Sequence, residues 1–173
     1  MIKTQVVKLK VNKTMQKHLD ALCDYRRYCW NKGLETWQLM YEAYTLNKQD
    51  NPSPNERRVR DELVAYKADW QYGLSARCLQ LTVKDLANAW KNFFNKSQPD
   101  WGMPSFKSKK DPRQGFKTDR AKIVNGKLRL DKPRSVSKED WFDLSSYEAL
   151  KMSEVKVVSI FKEKKRLLCG SSL

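Results

Sequence analysis

Histidine is almost missing from this chain: His18 is the only one in 173 residues. The four cysteines, Cys23, Cys29, Cys78 and Cys169, form no C-x-x-C pair, so a zinc site lacks its closely spaced ligands. Most of them fall at helical apolar positions, where a buried free thiol is the expected state. No histidine pair, nucleophile motif or phosphate-cradling glycine loop is present, which leaves an enzyme poorly supported, and no cofactor is expected. No run of about 18 apolar residues occurs, so no segment reads as a membrane-spanning helix. The opening MIKTQVVKLKV alternates charged and apolar residues without the continuous apolar stretch of a signal peptide. An intracellular protein is expected.

Acidic residues are also scarce relative to basic ones, 20 against 35, giving a formal net charge of +15. Self-repulsion of that size opposes a compact state and points to a polyanionic partner. Nucleic acid fits better than an anionic membrane surface, because no segment joins a cationic face to a long exposed apolar one. Disorder does not fit: 40% of the residues are hydrophobic, with six Trp, seven Tyr and six Phe.

The chain changes character along its length. In VKLKVN, Val7, Leu9 and Val11 alternate with Lys8 and Lys10, the pattern of a half-buried strand. Asn12 or Thr14 can cap the helix that follows, in which Met15, Leu19, Leu22, Cys29 or Trp30, Leu34, Trp37, Tyr41 and Tyr44 step by threes and fours, with a break expected near Gly33. In SPNE, Ser53 reads as a cap, Pro54 as the first helical residue and Glu56 as the closing acid of a capping box, predicting a helix from Pro54 to about Trp70. A third helix is predicted from about Ser75 to Asn95. Prolines and glycines then interrupt the helical pattern, and the segment loads with lysine and arginine. The hairpin KIV-NG-KLRL follows, because Asn125-Gly126 supplies the positive φ angles of a type I′ turn. VKVVSIF and KRLLCG are predicted to pair through a turn near Lys162 to Lys164.

The predicted third helix poses the functional question. Leu79, Val83, Leu86, Trp90, Phe93 and Phe94 make a core face, as do Tyr25, Trp30 and Trp37 on the first helix. Arg77, Gln80, Lys84, Asn88 and Lys91 line the opposite side within an arc of about 80°. That stripe is either solvated surface or a surface facing a polyanion. Asn55, Arg57 and Arg58 stand at a helix start, whose amides favour an anion. Lys107, Lys109, Lys110, Arg113 and Lys117, interleaved with Phe106 and Phe116, form the densest basic run and suit phosphates, the aromatics serving to anchor it. His18 reads as a surface or boundary residue. Glu139, Asp140 and Asp143 read as helix-start acids after Ser137 and Ser145 rather than as a metal site.

Four stretches in order, VKLKVN, YRRYCWNKGLETW, LQLTVKDLANAWKNFF and GMPSFKSKKDPRQGFKTDRAKIVNGKLRLDK, resemble the N-terminal half of TnpB, the RNA-guided DNA nuclease of bacterial insertion sequences, over about residues 5–165. The resemblance implies an α+β fold: a small wedge-like β-barrel, with residues 1–12 as its first strand, an inserted three-helix recognition lobe over 13–96, and residues 97–173 as the rest of the barrel, including a basic loop over 105–118 and the hairpin over 122–130. It implies guide RNA and target-adjacent double-stranded DNA as partners, and a cytoplasmic, nucleoid-associated place in a prokaryote. Gln80 and Lys84 fall where the family places donors against the target-adjacent motif, and glutamine can pair with an adenine edge while lysine reaches guanine or phosphate. Thr118 lies near a family position that touches the target duplex. Leu173 falls before the metal-binding carboxylates of the family's RuvC-like nuclease and its zinc ribbon, so the expectation is binding without a cleavage centre, with a full-length relative or a second copy as a further partner. A truncated remnant, or a regulator that competes for guide RNA, would carry the same residues.

Overall fold

A computed structural model describes residues 3–95, 97 and 100–163. The described chain is α+β, and a single apolar core runs from its helices into its strands. Helix α1, Lys13–Leu46, begins where the Asn12 side chain accepts a hydrogen bond from the Met15 amide at 2.8 Å. Its buried stripe, Met15, Leu19, Leu22, Cys29, Leu34 and Trp37, follows the predicted spacing. The expected break at Gly33 does not occur. Glycine costs a helix about 1 kcal/mol relative to alanine, but here it admits a neighbour: a Cβ on Gly33 would lie 3.1 Å from Leu86 Cδ2.

Helix α2, Glu56–Ala65, is capped by Asn55 rather than Ser53, with the Arg58 amide donating to Asn55 Oδ1 at 2.9 Å. Asparagine caps at least as well as serine, and this start places Val59 and Leu63 one turn apart on the buried side. The helix stops short of Trp70 because its apolar stripe ends at Leu63, and a 3₁₀ turn over Asp69–Gly73 leads on. In that turn Gln71 is buried and accepts the Tyr25 hydroxyl at 3.1 Å. Helix α3, Ala76–Phe93, buries Cys78, Leu79, Val83, Leu86 and Trp90 as predicted. Phe93 and Phe94 are corrected from core to surface, at 36% and 59% exposure. They pack on the outside of Trp90, whose inner face stacks on Trp37.

The strands form two-stranded antiparallel ribbons and, among the described residues, do not close into a barrel. Strand β1, Leu9–Lys10, keeps the predicted alternation but pairs over two residues only, with β5, Ser145–Ser146. Ser145 is therefore in a strand and not at a helix start. Ser137 does precede a short 3₁₀ turn, Lys138–Asp140, and donates to Asp140 at 2.8 Å. Strands β3, Lys122–Val124, and β4, Lys127–Arg129, make the predicted hairpin, with φ of 51° at Asn125 and 74° at Gly126. Leu128 and Leu144 exchange backbone hydrogen bonds, which links this hairpin to the β1–β5 pair.

Strand β2, Arg113–Thr118, pairs along its length with β6, Val158–Glu163. The basic loop thus ends in a strand, and β6 runs to Glu163, so that Lys162 and Glu163 are in a strand where a turn was expected. The proposed partner KRLLCG, with Cys169, lies outside the described residues. Asp131 fastens β2 to the helices, accepting hydrogen bonds from Thr118 Oγ1 at 2.6 Å and from Ser75 Oγ at 2.5 Å, at the start of α3.

Gly115 faces Phe161 across this ribbon, and a Cβ there would lie 2.6 Å from the Ile160 carbonyl oxygen. Gly115→Ala should therefore destabilise the protein by about 1–3 kcal/mol, the usual cost of overpacking, seen as a lower urea midpoint at an unchanged m-value.

Candidate nucleic-acid interface

The outer stripe of α3 divides into two parts. In its first turn the Arg77 guanidinium grips Asp119 with both arms, Nε to Oδ1 at 2.8 Å and Nη2 to Oδ2, while Nη1 donates to Gln80 Oε1. The pairing raises the pKa of Arg77 and holds the Asp119 carboxyl below the ordinary carboxylate range. Arg77 is thus spent inside the protein. Gln80 keeps its NH2 donors and one acceptor lone pair, in an orientation that Arg77 fixes. Further along, Lys84, Asn88 and Lys91 are exposed, and among the described residues their side chains have no ion-pair or hydrogen-bond partner.

The basic run also resolves into separate roles. Lys117 is paired with Asp85 at 3.1 Å, and the same carboxylate receives Arg26 at 3.3 Å, so one acid of α3 holds both α1 and β2. Thr118 is 2% exposed with its hydroxyl on Asp131, which removes it from any duplex surface. Arg113 lies over the Phe161 ring at 4.1 Å. Lys109 and Lys110 project from a turn tied by the Ser108 and Asp111 side chains. Of the interleaved aromatics, Phe116 anchors in the core at 3% exposure, whereas Phe106 is 57% exposed and anchors nothing. At the start of α2, Asn55 spends its side-chain carbonyl on its own helix, Arg57 meets Asp61 at 3.7 Å, and Arg58 is exposed.

Residues of α1 that composition did not single out position this loop. Trp30 Nε1 donates to the Ser105 carbonyl at 2.8 Å. Asn31 bonds both backbone groups of Lys107, accepting from its N–H at 2.7 Å and donating to its carbonyl at 2.9 Å. The Lys107 ammonium then rests 4.4 Å above the Trp30 ring. Burial, reinforced by the nearby Arg26 charge, lowers its pKa. Arg26 and Arg27 join Lys107 and Arg113 around one small cleft. The sequence signal for this was the polar residues Arg27, Asn31 and Glu35, which recur every fourth residue and so share one side of the helix.

Among the described residues, no three histidine, cysteine or acidic side chains are grouped so as to hold a metal ion. His18 sits at the core boundary, its ring 5.4 Å from that of Trp141. Asp143 is committed to Arg129 at 2.8 Å. Burial raises the thiols, Cys23 to about 11 and Cys29 to about 12, so they stay protonated and unreactive near neutrality. Among the described residues, no helix is long and apolar enough to cross a membrane. No model of a known protein family matches this chain, and no curated protein does.

The Arg77–Asp119 pair has a pH signature. A carboxyl whose folded pKa is depressed adds stability above its unfolded value, near 3.9, and loses it as pH falls through the folded value. Urea unfolding of the protein and of Asp119→Asn should therefore differ most above about pH 4 and converge on acidification; a gap that widened in acid would contradict the pairing.

Proposed function

We propose that this chain is a nucleic-acid-binding protein that grips a sugar–phosphate backbone and, in keeping with its resemblance to the N-terminal half of TnpB, holds guide RNA and target-adjacent duplex DNA. The observation that carries the reading is the set of exposed cations on one helix stripe and one ordered turn: Lys84, Lys91, Lys109 and Lys110, for which no carboxylate partner stands among the described residues. Ammonium groups held apart from acids on a folded surface are the usual means of displacing counterions from a phosphate backbone. Gln80 is the reader in this proposal. Its amide is oriented by Arg77 and can still donate to a base edge.

The wedge-like barrel belongs to the same proposal, with the three ribbons as parts of its wall. Phosphodiester cleavage needs clustered carboxylates to hold metal ions against the scissile phosphate, and the proposal assigns the described residues to binding alone. A second reading, a remnant needing strands from elsewhere, is favoured by the open ribbons. Single-step thermal unfolding of the isolated 173-residue chain would count against it.

Binding constants for a duplex should fall linearly with salt on a double-logarithmic plot. The double variant Lys84→Ala with Lys91→Ala should flatten the slope by about 2, one for each phosphate left unneutralised. Gln80→Ala should leave the slope alone and weaken discrimination between sequences. A wild-type constant that did not respond to salt would sink the proposal.

A further inference from the structure

Two adjoining features on the loop-facing side of α1 differ in chemistry. The first is a cavity of about 380 Å³ between α1 and the loop, lined by Arg27, Tyr28, Asn31, Lys32, Glu35 and Phe106. It is a shallow groove open to solvent, with a volume at the low end of the range of ligand sites, roughly 300–1,000 Å³. Its aromatic lining is accessible, with Tyr28 38% and Phe106 57% exposed. Tyr28 is braced by Trp70 edge-on, with centroids 5.0 Å apart, and Phe106 sits between Ser105 and Lys107, whose backbones are fixed by Trp30 and Asn31. Lys32 is satisfied by Glu35 at 3.1 Å, so that pair forms a neutral rim.

The second is the cleft where Arg26, Arg27, Lys107 and Arg113 meet, with Asp111 as its one acid. Arg26 is held by Asp85, and Arg27 by Asp24 and Gln114, but each guanidinium has five N–H groups and has donors to spare. Among the described residues, Lys107 and Arg113 have no carboxylate within ion-pair distance. Arg27 lines both features. A ligand spanning them would need a flat apolar part and an anionic part joined by a short link, and a nucleotide has both.

From this we infer that the cavity and the cleft together form a subsite for one unpaired nucleotide, its base against Tyr28 and Phe106 and its phosphate on Arg27, Lys107 and Arg113. The inference rests on the nucleic-acid-binding reading and adds that a base is taken out of its stack. Asn31 is largely committed to the Lys107 backbone, so the cavity offers few groups to read a base edge. Recognition is by stacking, which every base allows. Nothing in the lining distinguishes ribose from deoxyribose.

The test uses the whole chain and hairpin oligonucleotides, made as RNA and as DNA, that carry one unpaired 2-aminopurine, an abasic residue there, or full pairing. Binding is followed by anisotropy and stacking by 2-aminopurine fluorescence. The expected result is quenching on binding and a preference for the unpaired base. Phe106→Ala should reduce that preference about tenfold, within the range seen for base–aromatic stacks, while leaving affinity for the paired hairpin unchanged. Arg113→Gln should flatten the salt slope by about 1 for the unpaired hairpin. A preference for the RNA or the DNA form would assign the strand and uphold the subsite. Salt-dependent binding of all hairpins alike, without quenching, would overturn the subsite and leave the broader reading standing; no binding to any hairpin would overturn both.

Discussion

A two-stranded ribbon does not hold itself together in water, because it buries too little apolar surface to offset the ordering of its backbone. All the described sheet structure here is made of such ribbons. They persist because they share the core of the helices: β2 packs on α1 and α3, and Phe116, Leu128, Leu144 and Ile160 belong to the same buried cluster as Met15, Leu22, Leu79 and Leu86. The buried stripe of α1 is therefore the constraint on which the remainder depends. It runs through Gly33, where the missing side chain lets Leu86 of α3 approach.

Polar contacts then set what that packing leaves undefined. Asp85 and Asp131 each bind partners from two other parts of the chain, Arg26 with Lys117 and Ser75 with Thr118. Asn31 treats the Lys107 peptide as a strand neighbour would, exchanging one donor and one acceptor with it. The loop is thereby ordered without regular secondary structure. Partners of this kind fix geometry more than they add net stability, since half-exposed ion pairs are screened and contribute little. The cations that remain without such partners among the described residues, Lys84, Lys91, Lys109 and Lys110, stand on the exposed side of ordered backbone.

The same partition of charge explains how the sequence misleads about individual residues. A net charge of +15 says that cations exceed acids, yet Arg77, Arg129, Lys117 and Lys162 are all paired with aspartates. Lys162 and Asp20 lie far apart in the chain, and a helical wheel cannot show such a partner. Thr118 carries a hydroxyl suited to a surface contact and is buried instead, because alternation along β2 turns it, like Phe116, toward the core.

Local rules were sufficient where the energetics are local. The period of Met15, Leu19, Leu22 and Trp37 and the Asn125-Gly126 turn concern atoms within a few residues of one another, and the sequence alone determined them; it narrowed the cap of α1 to Asn12 or Thr14, from which the structure selects Asn12. It also determined which stretch carries the densest positive charge. Tertiary structure decided whether Gly33 breaks a helix or admits a neighbour, which strand β6 pairs with, and whether Phe93 and Phe106 are buried. It also decided which arginines face an acid and which face the cleft beside Tyr28 and Phe106. Each of those outcomes turns on a partner distant in sequence, and a side chain's free energy depends on what surrounds it as much as on what it is.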